Sequence, residues 1–289
     1  MRDLFVKTIT KKAIKNKNFF LVVGDLGFSV IEPFQKKFPK RFVNAGVSEQ
    51  NMMGMASGIA SEGVHVFVYS IANFPTFRCA EQIRNDIDYH NFPVTIVSVG
   101  AGVSYGNLGY SHHALQDYGL MRLFPNILIL SPGNNKELAS VLDYILNNPQ
   151  PSYLRLDKTS VSIENNTNQK LYPGKLNKIL KLRSKNIILT TGNTQQIAIN
   201  LQKKKYQNYS IYSVPMWGMK QKKIVRRQIK NYKQIITIED HFKDCGFGSW
   251  IKECLESKDK IKIQNKYISE KIVSEVGSKI FLTQKFGPT

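Results

Sequence analysis

The chain has 289 residues, 42% of them hydrophobic and 11% aromatic, and carries 41 Lys+Arg against 21 Asp+Glu, a formal charge of +20. That is enough apolar material for one large or two modest cores, which excludes a disordered chain or a coiled coil. No apolar run approaches the roughly 20 residues of a membrane helix, and the opening MRDLFVKTITKKAIKNKNFF is charged before it is hydrophobic, so no secretory signal is read and a cytoplasmic protein is expected.

In chain order, short β-rich runs alternate with helical patterns, the mark of a parallel α/β sheet. The predicted strands are 19–23, 41–44, 65–69, 94–99 and 127–130, with a closing strand at 153–155. The clearest helix is 136–146, where Leu138, Val141, Leu142, Ile145 and Leu146 recur at helical spacing behind the caps Asn134 and Asn135. The polar stretch ENNTNQKLYPGK, residues 164–175, predicts a linker between a first domain, 1–163, and a second, 176–289. Strands at 186–191, 209–214 and 234–239, a helix from about Thr194 and a helix after CGFGSW make the second domain α/β as well. The fold expected is two three-layer α/β domains with mostly parallel sheets.

The charge is uneven: residues 1–163 carry a net +4 and residues 164–289 a net +16. The excess is scattered among Asn and Gln, without an RNA-recognition, zinc-finger or helix-turn-helix pattern, so it reads as a solvated lysine-rich surface that suits an acidic partner chain better than nucleic acid. Cys79, Cys245 and Cys254 are odd in number and lack CxxC spacing, as buried reduced thiols would be.

A parallel sheet places its active site beyond the carboxyl ends of its strands. The segments following the first four strands are GDLG, GVSEQ, NFPTF and a loop from Gly100 to His113. They bring acids, aromatics and a His pair to one edge. Glu49 begins a helix of unusually small residues, Gly54, Ala56, Ser57, Gly58 and Ala60, so its carboxyl would be partly desolvated and its pKa raised, making it a proton donor near neutrality. A glutamate that merely favours a helix N-terminus accounts for it equally well. Phe74 and Phe77 flank Pro75 and are read as lying in a fixed loop, where they are either core aromatics or pocket walls. The loop GAGVSYGNLGYSHH, with four glycines, can approach a ligand closely and expose His112 and His113.

At these residues the chain resembles the transketolase family of thiamine-diphosphate enzymes, through FVNAGVSEQNMMGMASGIA, NFPTF, YSHHALQD, LFPNILILSP and PSYLRLD, and through TIEDHFKDCGFGSW in the second domain. The match runs in order along nearly the whole chain, to that family's pyrimidine-binding domain and C-terminal domain. It implies that Glu49 hydrogen-bonds the cofactor's aminopyrimidine nitrogen, that Phe74 stacks on that ring with Phe77 as a second wall, and that His112 faces the substrate oxygens. It also implies that Asp25 lies near the cofactor, and that Arg155, Ser29 and Arg2 contact a substrate phosphate.

Two departures stand out. The family's diphosphate-binding GDG motif and its downstream Asn are missing, and GDLG at Gly24 does not replace them. The resemblance therefore implies the second subunit of a split enzyme. Its partner would be an N-terminal-type chain that carries the GDG motif and Mg2+, thiamine diphosphate would be shared across the interface, and two of each chain would form a heterotetramer. Leu108 and Gly100 also replace an acid and a histidine of the family, so recognition of substrate hydroxyls should differ. The activity expected is transfer of a two-carbon ketol unit between sugars or sugar phosphates. The alternatives are a deoxyxylulose-phosphate-synthase-like carboligase acting on pyruvate, a 2-oxoacid dehydrogenase beta subunit, and a non-enzymatic scaffold for RNA or polysaccharide.

Overall fold

The computed structural model describes residues 1–158 and 170–288, and part of the expected linker, 164–169, lies outside the described residues. The strands are β1 Phe19–Val23, β2 Phe42–Asn44, β3 His65–Ile71, β4 Val94–Val99, β5 Leu128–Leu130, β6 Ser152–Leu156, β7 Asn177–Leu180, β8 Asn186–Thr190, β9 Ser210–Ser213, β10 Met216–Trp217, β11 Gln234–Ile238 and β12 Lys262–Lys266. They form a seven-stranded sheet in the order β10-β5-β6-β4-β3-β1-β2 and a five-stranded sheet in the order β12-β11-β8-β9-β7.

From β1 to β6 every pairing in the first sheet is parallel, and β3 and β4 are buried at nearly every position because helices cover both faces. On one face lie the helices Arg2–Lys15 and Asn135–Asn147, with Phe5, Ile9, Leu138 and Leu142 in the core. The second of these starts where the Asn134 side chain accepts a hydrogen bond from the Glu137 N–H at 2.9 Å, so the expected cap forms. Each fully buried Leu, Val or Ile on its inner face contributes about 1.5–3 kcal/mol relative to exposure.

On the other face one apolar cluster runs from Met52, Met53 and Ala56 of the helix Glu49–Ser61, through Tyr118 and Trp217, to Phe247 and Trp250 of the second half. The two halves thus share a core. They also share a sheet, since β10 comes from residues beyond 176 and pairs antiparallel with β5. At the junction the Tyr-Pro-Gly turn forms as expected, with Gly174 at φ +81° and Lys175 N–H donating to the Tyr172 carbonyl at 3.0 Å. Cys79 and Cys254 are buried, whereas Cys245 is exposed, so the buried-thiol expectation fails at that one position. Among the described residues no helix is long and apolar enough to cross a membrane.

Candidate active site

Because β1 to β4 are parallel, the segments that follow them meet on one edge. Asn44, ending β2, ties the first two together. Its Oδ1 accepts from the N–H groups of Asp25 and Gly46, both at 3.0 Å, and its Nδ2 donates to Asp25 Oδ1 at 2.9 Å. Asp25 adopts a left-handed backbone, φ 53°, and one of its carboxylate oxygens is committed to this staple.

Glu49 is the first residue of its helix and is only 5% exposed. Its Oε1 accepts from Arg78 Nη1 at 2.9 Å. The same guanidinium lies 4.2 Å from the centre of the Phe74 ring, and that ring meets His112 edge-on at 5.3 Å. Glu49, Arg78, Phe74 and His112 thus form one chain of contacts. Sequence reasoning treats the carboxyl as isolated and misses Arg78. A signal for it exists: Phe74–Phe77 is a helical turn rather than the fixed loop expected, and a residue four positions after Phe74 returns over its ring. Phe77 is 46% exposed and can wall a pocket only when another surface closes over it.

The glycine-rich loop presents the two histidines differently. His112 is partly exposed, with the Ser111 hydroxyl 2.9 Å from its Nδ1. Burial, and then the positive charge of Arg78, push its pKa down and favour the neutral ring. His113 is fully buried, against the expectation that both would be exposed, and burial lowers its pKa too. Asn73 steadies the loop by donating to the carbonyls of Ser111 at 3.2 Å and His113 at 2.8 Å. Gly100 has φ +100°, and a side chain there would overlap the Tyr105 ring. Tyr105 in turn lies 6.2 Å from the His112 ring, with Lys158 Nζ 4.0 Å over its face. Sequence reasoning also misses Asn73, Tyr105 and Lys158, whose roles depend on which strand ends become neighbours.

The anion-binding expectation for Arg155 does not survive the geometry. Arg155 is 1% exposed. Its Nε donates to Asp117 Oδ2 at 2.6 Å, Nη1 to Asp240 Oδ1 at 2.6 Å and to the Tyr118 hydroxyl at 3.3 Å, and Nη2 to the carbonyls of Ala114 at 2.7 Å and Asp240 at 3.2 Å. With Asp117 Oδ1 3.4 Å from Nη2 as well, five N–H donors meet six acceptors, and none is left for a phosphate. Arg155 is instead the clamp between the two halves. Arg2 opens the first helix 3.6 Å from Asp3, and its charge reaches Tyr105. Ser29, at φ 66°, gives its N–H to Glu32 at 2.7 Å. It lines a groove of about 540 Å³ along the first helix with Val6, Ile14 and Pro33, a groove that none of Glu49, Phe74 or His112 lines.

Glu239, near the second domain's matching motif, is fully buried and accepts from the N–H groups of Phe247 at 2.5 Å and Gly248 at 2.9 Å. Burial pushes its pKa up to about 8 against the pull of those two amides. A side chain on Gly246 would strike this carboxylate, which explains the glycine there.

Comparison with known proteins places these residues in context. Residues 1–163 match the family model "Transketolase, pyrimidine binding domain". The chain is 32% identical over 239 residues to an apulose-4-phosphate transketolase subunit of Actinobacillus succinogenes, covering 81% of this chain and 76% of the relative. It is 33% identical over 262 residues to a putative transketolase C-terminal section of Methanocaldococcus jannaschii, covering 89% and 82%. Among solved structures, a chain described as a split gene transketolase, inactive beta4 tetramer, superposes with a TM-score of 0.85 at 24% identity, covering all of this chain and 93% of that one.

Proposed function

The chain belongs to the transketolase family, and from that premise we propose that it is the second subunit of a split thiamine-diphosphate enzyme that moves a two-carbon ketol unit between sugars or sugar phosphates in the cytoplasm. Its partner supplies the GDG motif, the diphosphate site and Mg2+, and two copies of each chain assemble. The observation that carries this reading is the buried Glu49 carboxyl bridged to the Phe74 ring by one guanidinium. A planar, delocalised hydrogen-bond donor already bonds the carboxylate and stacks on the ring, which marks a slot of the shape and polarity that an aminopyrimidine needs. When bound, thiamine diphosphate supplies the carbon nucleophile for the ketose carbonyl.

This chain's residues do the rest. A bound pyrimidine would need the Glu49 carboxyl for a proton shared with its ring nitrogen, and would take the place that the Arg78 guanidinium occupies. Glu49 then holds that proton. His112, kept neutral and braced through Nδ1 by Ser111, turns its other ring nitrogen toward the substrate oxygens. With Arg155 committed inside, the cations beside Tyr105 that can meet a sugar phosphate are Arg2 and Lys158. The rim also exposes Val47, Phe77 and Leu108, at 73%, 46% and 55%, apolar surface that suits coverage by a partner chain.

Glu49→Gln in the complex reconstituted with a GDG-bearing subunit should slow exchange of the thiazolium proton by at least about 100-fold. Exchange at the wild-type rate would remove Glu49 from the chemistry. Assaying the same complex with a ketose donor and with pyruvate separates ketol transfer from carboligation.

A further inference from the structure

We propose that the C-terminal segment 268–286 is a positioning strap for the loop that carries His112. This rests on the reading above, and it assigns a catalytic consequence to a segment that packs on the loop and on the turn Tyr110–His112 from the second half of the chain.

The loop 100–113 has almost no apolar content with which to anchor itself. Its largest deeply buried aliphatic side chain, Val103, packs into a small cluster separate from both main cores, with Leu115, Ile268, Ile272, Leu282 and Phe286. Four of those five partners come from the end of the chain. The strap consists of the 3-10 turn Glu270–Ser274 and the helix Lys279–Phe286, and it is closed on itself by Ser269 N–H donating to the Phe286 carbonyl at 2.9 Å.

Backbone meets backbone between strap and loop. Gly277 N–H donates to the Gly106 carbonyl at 3.2 Å. A side chain on Gly106 would collide with the Gly277 carbonyl and with Leu282, and one on Gly109 would lie 3.1 Å from Val276. Lys279 pairs with Asp157, next to Lys158 at the end of β6. Deeper in the loop, Asp240 packs against Gly102, where a Cβ would come within 2.7 Å of its carboxylate.

On its far side the loop is held by the two hydrogen bonds from Asn73, the residue preceding Phe74, and by the edge-on contact of His112 with the Phe74 ring. His112 thus sits between a polar anchor that belongs to the pyrimidine slot and an apolar anchor that belongs to the second domain. A loop rich in glycine has many conformations to lose, and the strap removes them in advance, so the histidine is in place before substrate arrives.

The test uses Leu282→Ala, with the volume-conserving Leu282→Met as rescue. In the isolated full-length chain, amide hydrogen exchange across 100–113 should rise by about tenfold in Leu282→Ala and return to wild type in Leu282→Met, while β3 and β4 stay protected. In the reconstituted complex, kcat for ketol transfer should fall about tenfold with the thiazolium proton still exchanging within twofold of wild type. The strap proposal is overturned if residues 279–286 loosen while the loop does not, or if kcat and thiazolium exchange fall together. The hydrogen-exchange arm needs neither cofactor nor partner, so it decides the strap even if the wild-type complex proves inactive with thiamine diphosphate, a result that would instead refute the proposed function.

Discussion

Removing the Arg78 guanidinium should make the subunit bind its cofactor more tightly, an unusual expectation for a charged residue in a binding site. Arg78 holds the slot closed with two contacts, the ion pair to Glu49 at 2.9 Å and the face of Phe74 at 4.2 Å. The arginine side chain is 50% exposed, so solvent discounts both: the pair is worth about 0.2–1 kcal/mol and the ring contact about 0.5–1 kcal/mol. A ligand that must wait for an open state loses apparent affinity in proportion to how rarely that state occurs. Removing about 0.7–2 kcal/mol of closure therefore lowers the apparent Kd by about 3–30-fold. Calorimetric titration of thiamine diphosphate with Mg2+ into the complex containing Arg78→Ala reads this directly. Arg78→Lys should fall between, since it keeps the charge and loses the planar fork. Weaker binding by Arg78→Ala would refute the reasoning and make Arg78 a support for Glu49 rather than a stand-in for the ring.

Two further outcomes follow from buried charges. Arg155→Ala leaves Asp117 and Asp240 without their shared cation, and should lower stability by about 3–5 kcal/mol in urea unfolding; a variant of normal stability with a raised KM only for phosphorylated substrates would restore its reading as a phosphate ligand. Glu239 keeps its proton in the folded state up to about pH 8, whereas the unfolded chain releases it near 4.5, so stability falls as pH rises between those values. Below 6.5 this is offset by His241 and His65, which burial lowers to about 4 and about 3 and which add stability as pH rises. From pH 6.5 to 8 the Glu239 effect should reach at most about 1.4 kcal/mol per pH unit, opposed by the N-terminal amine, whose pKa burial lowers. Glu239→Gln should flatten that slope, and a slope that persists in the variant would assign it to another group.

The features legible in the sequence are those encoded locally. β1, β4 and the helix 135–147 carry their own periodicity and caps, and the rule that parallel strands present their carboxyl ends together is enough to bring Glu49, Phe74 and His112 to one edge. What escapes is set by contacts distant in sequence. β10 is two residues long and is a strand only because β5 offers an edge; β12, with the composition Lys-Ile-Gln-Asn-Lys, has no strand pattern of its own and pairs because β11 is beside it. The motif PSYLRLD locates the right strand end but not the direction of its arginine: along β6 alternate side chains face opposite sides, and whether Arg155 turns to solvent or to Asp117 depends on what covers that face.

That cover is the second half of the chain, and its role goes beyond burying apolar surface. Asp240 neutralises Arg155 on one side and packs on Gly102 on the other, while the Phe242 N–H donates to the Leu115 carbonyl at 3.0 Å, two residues beyond His113. These contacts begin and end the glycine-rich loop, and the strap grips its middle. Interdomain contacts usually permit relative motion when they are few and polar. Here they include a shared strand, a shared core and a buried guanidinium with all five donors engaged, so the second half and the loop form one rigid template. The turn that bears Phe77 and Arg78 is instead exposed, and it is the segment that a cofactor and a partner chain would have to rearrange.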